Sequence, residues 1–204
     1  MNVDKFRKQP ILGILRDITE DEIPPLVDVF KSTGLHTVEI AMNTEDADAL
    51  IRQAVKLAKG SVMIGAGTVI SMKILKTALK AGATFIVMPV LVKDVVKYCV
   101  RHKIAVFAGA LSPQEIYQAW QDGATMVKVF PAGFFGPKYF REIKGPFREI
   151  ELLACGGVTP ENMAEYFLNG ASAIAFGASV FRRDWLKKKD FPKIEESIKK
   201  FLGK

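Results

Sequence analysis

The sequence has few of the residues that most often announce a chemistry. Among its 204 residues are two cysteines, Cys99 and Cys155, and two histidines, His36 and His102. Both cysteines lie in apolar surroundings far apart in the chain, which argues against a disulfide framework or a metal knuckle and points to a reducing compartment. No cluster of His, Cys and carboxylate ligands is visible, so metal catalysis is not expected and no cofactor is implied. No apolar run approaches the roughly 18 residues of a membrane span. The first ten residues are polar, carry three basic side chains and have no apolar core, so no signal peptide is read and the expected location is the cytoplasm.

Composition is otherwise ordinary. With 49% hydrophobic and 25% charged residues in 22.5 kDa, the chain suits one globular domain spanning residues 1–204. The excess of 29 Lys and Arg over 22 Asp and Glu gives +7, which would suit an anionic substrate, nucleic acid or an anionic membrane. Arg182, Arg183, Lys187, Lys188, Lys189 and Lys193 cluster near the C-terminus and read as a solvated face. No RNA-binding, zinc-finger or helix-turn-helix signature accompanies them, and the aromatics are mostly Phe in apolar runs, so neither nucleic acid nor membrane is an expected partner.

A periodic pattern organises the chain. Gly34, Gly60, Gly82, Gly123, Gly145 and Gly170 each follow an amphipathic segment and precede an apolar run, at spacings of roughly 20 to 26 residues with one beat missing near His102-Lys103. Strands are expected at 11–15, 37–41, 62–65, 85–88, 105–108, 126–130, 151–154 and 173–176. Helices are expected at 22–31, 47–59, 72–80, 93–101, 113–121, 137–143, 160–168 and 192–202, two of them opened by Ser112-Pro113 and Thr159-Pro160. Strict alternation with strands apolar on both sides means a parallel sheet covered by helices. A doubly wound nucleotide binder would carry a glycine fingerprint after its first strand, where this chain has Arg16-Asp17-Ile18-Thr19. The expected fold is therefore a compact α/β (βα)8 TIM barrel, with a short N-terminal helix across its bottom.

Two strands contain an ionisable residue in their middle. In Thr37-Val38-Glu39-Ile40-Ala41 and Met126-Val127-Lys128-Val129-Phe130, alternation turns Glu39 and Lys128 toward the barrel axis. Burial favours the neutral form of an amine, and a neutral amine is a nucleophile. One reading is a buried ion pair of no chemical consequence. The other is Schiff-base chemistry on a ketone, with Lys128 forming the iminium and Glu39 moving protons, as in aldol cleavage next to a 2-keto acid.

The loops after the strands supply the rest. Cys155-Gly156-Gly157-Val158-Thr159 and Phe176-Gly177-Ala178-Ser179 follow the last two strands, where barrels commonly bind phosphate through backbone N–H groups. Gly65-Ala66-Gly67-Thr68 reads as a close-approach turn in which Thr68 offers a hydroxyl or a cap; it lacks the Lys and spacing of a P-loop. Arg16 ends the first strand at the same crown, and its fork suits a carboxylate or a phosphate. Asn43 and Ser112 are weaker candidates, while Pro89, Phe130 and Pro131 would shape the walls. Cys155 sits at the crown where it could touch substrate, but it has no neighbouring His to activate it. His36 and His102 fall at the opposite end.

The stretches Gly65-Ala66-Gly67-Thr68-Val69, Lys128-Val129-Phe130-Pro131-Ala132, Gly145-Pro146-Phe147 and Gly156-Gly157-Val158-Thr159-Pro160-Glu161-Asn162 resemble the 2-keto-3-deoxy-6-phosphogluconate (KDPG) aldolase family, over nearly the whole chain. The resemblance implies a class I aldolase of (βα)8 fold, usually trimeric, that splits a phosphorylated 2-keto-3-deoxy sugar acid into pyruvate and glyceraldehyde 3-phosphate without a cofactor. By position, Lys128 matches the Schiff-base lysine, Glu39 the acid/base glutamate, Thr68 a pyruvate contact, Arg16 an arginine found in part of the family, and Gly157 with Gly177-Ala178-Ser179 the phosphate loops. Asn43 replaces a frequent arginine, Ala154-Cys155 a usual Pro-Thr, and Gly133 a frequent Glu. Ile14-Leu15-Arg16, Val38-Glu39-Ile40 with Asn43, and Phe135-Gly136-Pro137 also look like the galactonate-type branch, and 4-hydroxy-2-oxoglutarate is a further possible substrate. Two other classes stay open: a phosphate-binding barrel epimerase or isomerase in which Lys128 only stabilises charge, and a noncatalytic sugar-phosphate-binding barrel.

Overall fold

In the computed structural model, which describes all 204 residues, eight parallel strands close into a barrel in sequence order, β8 pairing back onto β1. The strands are β1 (Ile11–Leu15), β2 (Thr37–Ala41), β3 (Met63–Gly67), β4 (Phe85–Val87), β5 (Ala105–Ala110), β6 (Met126–Val129), β7 (Leu152–Cys155) and β8 (Ala173–Phe176). Around them run α1 (Val3–Lys8), α2 (Ile23–Thr33), α3 (Ala47–Ala58), α4 (Met72–Lys80), α5 (Lys93–Arg101), α6 (Pro113–Gln121), α7 (Pro137–Lys144), α8 (Met163–Leu168), α9 (Arg183–Lys187) and α10 (Phe191–Phe201). This is the (βα)8 TIM-barrel fold that the alternation requires. No helix is long and apolar enough to cross a membrane.

Strand alternation divides the core in two. Val38, Ile40, Val127 and Val129 face outward and join the large cluster between sheet and helices. Leu12, Met63, Phe85, Phe107, Met126 and Leu153 face inward and fill the lower barrel. The floor of that inner core is Phe6, wholly buried on α1, whose ring meets Phe107 edge to face at 5.5 Å. Asn2 caps α1 by accepting from the Lys5 amide at 2.8 Å, and Arg7 holds Glu151, just ahead of β7, through two bonds of 3.0 and 2.7 Å. The N-terminal helix thus closes the end away from the crown and leaves the upper barrel as the place where polar side chains can be held.

The recurrent glycines do cap helices in the left-handed conformation, with φ from 79° to 99° at Gly34, Gly60, Gly82, Gly123 and Gly170. Lys103, at φ 55°, takes the beat that has no glycine. Gly145 departs from the pattern, ending α7 at φ −52°.

Other boundaries shift for local reasons. Gly65-Ala66-Gly67, expected as a turn, continues β3. A Cβ at Gly65 would overlap the Phe85 ring, and one at Gly67 the Glu39 carboxyl group, so these glycines are strand positions emptied to make room for inward neighbours. The helix expected from Pro160 begins only at Met163: Thr159 donates its amide to Asn162 Oδ1 at 2.8 Å, and Asn162 Nδ2 donates to the Gly157 carbonyl at 2.9 Å, which makes a turn of the intervening residues. The short α9 and the 3-10 turns at Glu20–Glu22 and Ala132–Phe134 have no counterpart in the sequence pattern.

Because Phe6 fills the barrel floor, Phe6→Ala should cost about 3–5 kcal/mol of stability in urea unfolding. The folded fraction should keep its activity, since the floor lies at the opposite end from the crown.

Candidate active site

The crown of loops encloses a cavity of about 630 Å³. It is lined by Arg16, Asn43, Thr68, Pro89, Lys128, Phe130, Cys155, Gly156, Gly157, Gly177, Ala178 and Ser179; of the candidate site residues singled out in the sequence, Glu39, Ser112 and Pro131 do not reach its wall. Ile14, Val158, Thr159, Ala175 and Phe176 complete it. Strand parity would have found Ile14 and Ala175, which face the same way as Leu12 and Ala173. Ser112 lies outside the cavity; its hydroxyl opens α6 in a capping box with Glu115.

Lys128 lines the cavity, and Glu39 is buried without reaching its wall. They are 6% and 2% exposed, each flanked along its strand by outward-facing apolar residues. Lys128 is level with Gly109 and Leu153 on the adjacent strands, and its Nζ lies 5.3 Å from the centroid of the Phe130 ring. Glu39 is level with Ile14 and Gly65, and the bare Cα of Gly67 leaves the space that its carboxyl group occupies.

The two do not form a buried ion pair. No salt bridge joins them, and Glu39 Oε2 is buried with no hydrogen-bond partner. Burial pushes the Glu39 carboxyl above its ordinary range, and Lys128 and then Arg16 pull against that rise without cancelling it. Burial likewise raises the Cys155 thiol, opposed chiefly by Lys128. Arg16 lines the same cavity and is exposed, and its charge also opposes the rise at both groups.

Beyond β7 and β8 the wall is backbone. Gly157, at φ 79°, approaches Gly133 so closely that a Cβ would lie 2.9 Å from the Gly133 Cα, and Gly133 donates its amide to the Gly156 carbonyl at 2.8 Å. The Gly177 carbonyl accepts from Val180 and Phe181 at 2.9 Å each, which turns the chain after β8. The amides of Gly157, Ala178 and Ser179 donate no hydrogen bond within the protein, and such open donors suit a polyanionic oxygen cluster. Thr68, on the cavity wall after β3, is a β-branched residue held at φ 56°. That conformation costs of order 1–2 kcal/mol and is characteristic of binding sites.

His102 stacks on Tyr98 at 4.0 Å, and His36 lies ahead of β2, both remote from the crown. No group of three or more His, Cys, Asp and Glu residues is arranged to hold a metal ion. Cys99 is buried on α5, its thiol pushed up to about 11 by desolvation.

The sequence model of the KDPG and KHG aldolase family matches residues 3–197. The chain belongs to that family. Among its relatives, the 2-dehydro-3-deoxy-6-phosphogalactonate aldolase of Escherichia coli is 32% identical over 86% of each chain. The 2-dehydro-3-deoxy-phosphogluconate aldolase of Pseudomonas aeruginosa is 31% identical over 78% of this chain and 73% of its own. Among solved structures, one described as native KDPGal superposes with a TM-score of 0.88 at 28% identity, covering 95% of this chain and 93% of the other. Membership makes this aldolase a lyase of the class I type.

Glu39 also sets a pH dependence of stability. With its carboxyl raised, the folded protein retains a proton that the unfolded chain releases, so stability falls as pH rises from the ordinary carboxyl value through the raised one. Glu39→Gln cannot ionise and should abolish that decline, leaving the variant more stable than wild type at neutral pH and close to it in acid. Parallel urea titrations at the two pH values check this.

Proposed function

We propose that the chain cleaves a phosphorylated 2-keto-3-deoxy sugar acid, 2-keto-3-deoxy-6-phosphogluconate first, to pyruvate and glyceraldehyde 3-phosphate through a Schiff base on Lys128. One observation carries the reading: a buried lysine on the wall of a cavity that open backbone amides also line. The amine reaches a ketone at one end of a substrate while the amides hold a phosphate at the other.

Lys128 adds to the C2 carbonyl, and loss of water gives an iminium that can accept an electron pair. Glu39, acting through a water, takes the proton from the C4 hydroxyl. The electrons of the C3–C4 bond move to C3 and into the iminium, releasing glyceraldehyde 3-phosphate. The enamine is then protonated at C3, and hydrolysis frees pyruvate and restores the amine. A carboxyl group with a raised proton affinity and an unpartnered oxygen is suited to this cycle of taking and returning a proton.

Arg16 and the Thr68 hydroxyl would hold the C1 carboxylate. Phe130 and Pro89 would wall the pyruvate portion, and Asn43 and Cys155 would face the middle of the chain. Gly156, Gly157, Gly177, Ala178 and Ser179 would bind the phosphate, whose binding energy positions the reacting bond. The family resemblance supports a homotrimer in the cytoplasm.

A second reading, the C4 epimer 2-keto-3-deoxy-6-phosphogalactonate, is supported by Arg16 and Asn43 together lining the cavity and by similarity to the Escherichia coli phosphogalactonate aldolase. Rates on the two epimers and on 4-hydroxy-2-oxoglutarate, followed by pyruvate release in a lactate dehydrogenase-coupled assay, decide among them.

Borohydride reduction in the presence of pyruvate should leave a stable adduct on Lys128, identified by peptide mass spectrometry. No adduct, or one on another lysine, contradicts the mechanism. Lys128→Met should show neither adduct nor turnover, and Glu39→Gln should lower kcat by roughly 10²–10⁴-fold.

A further inference from the structure

Arg16 is the first residue beyond β1, and the backbone that follows is held from two sides. Asp17 lies at φ 52°, a left-handed conformation that aspartate tolerates better than most residues but that is uncommon outside glycine. Its amide donates to Thr44 Oγ1 at 3.1 Å, and its carbonyl accepts from Arg183 Nη1. Thr44 is 6% exposed and follows Asn43 in the loop after β2, where its own amide donates to the Ala41 carbonyl at 2.9 Å. Arg183 opens α9 beyond β8, and its Nη1 also lies 3.7 Å from Oε2 of the buried Glu22. That same oxygen accepts from the Thr19 amide at 2.8 Å.

A side-chain hydroxyl and a guanidinium therefore tie the loop carrying Arg16 to the loops after β2 and β8. Neither side chain lines the cavity. Without the ties, the left-handed conformation of Asp17 would rest only on the modest local tolerance of aspartate for it, and relaxation there would swing Arg16, which lines the cavity from the preceding position.

We propose that Thr44 and Arg183 are positioning residues for Arg16 that set the affinity for the keto-acid carboxylate and fix Arg16 relative to Asn43. This rests on the aldolase reading, in which Arg16 receives that carboxylate.

The test uses Thr44→Val, which keeps the side-chain shape and removes the hydroxyl, and Arg183→Met, which removes the fork. Thr44→Val leaves the Glu22 pair intact, so it serves if loss of Arg183 impairs folding. Each is made in wild type and in Arg16→Gln. KM and kcat are measured with the phosphorylated substrate, together with the pyruvate concentration that half-saturates borohydride trapping at Lys128.

In the wild-type background each substitution should raise both KM and half-saturating pyruvate by about 5–20-fold with kcat changed less than about twofold, and in Arg16→Gln it should change neither by more than about twofold. Equal rises in both backgrounds, or no rise in wild type, overturn the proposal. Absence of any adduct in wild type itself counts against the aldolase reading instead, so the two failures are distinguishable.

Discussion

The structure depends on holding a lysine and a glutamate inside a sheet that is otherwise apolar, close enough to feel each other and yet unpaired. Burying either charge costs several kcal/mol, and direct pairing would recover much of that cost. Here it does not occur: Glu39 keeps an oxygen without a partner, and burial dominates its proton affinity. The surrounding fold must supply the deficit. It does so with two apolar layers, one inside the lower barrel and floored by Phe6, the other between strands and helices.

Space inside the barrel is shared as tightly as charge. Phe85 and Glu39 occupy volume that side chains at Gly65 and Gly67 would otherwise take, and the next residue, Thr68, leaves β3 in a conformation that β-branched residues rarely adopt. One short segment therefore makes room for the carboxyl group and the Phe85 ring and ends in Thr68 on the cavity wall. The loops after β7 and β8 leave amides without internal acceptors. On the proposed function, the lysine would meet the ketone and these amides the phosphate, and a substrate spanning both would be aligned along its length.

Much of this was legible in the residues. Period and helix-capping glycines give the alternation, and parity along five-residue strands turns Glu39 and Lys128 inward. Where the reading slipped, a tertiary contact outweighed a local signal. Gly65-Ala66-Gly67 looks like a turn because glycine usually marks one, yet these glycines answer to Phe85 and Glu39, which are distant in sequence. Thr159-Pro160 has the form of a helix start, but Asn162 captures the Thr159 amide and delays it. Helix α9 is too short and too basic for a periodic signal. The ties from Thr44 and Arg183 to Asp17 have no sequence signature, since they span 27 and 166 positions.

The proposed chemistry requires the Lys128 amine, buried inside the barrel, to form the bond to substrate. A crystal structure of the protein soaked in pyruvate tests it most directly. The account predicts continuous density from Lys128 Nζ to the pyruvate C2, with the carboxylate turned toward Arg16 and Thr68 and Glu39 bordering the new bond. Pyruvate bound without a link to Lys128, or joined to a lysine outside the barrel, would contradict it.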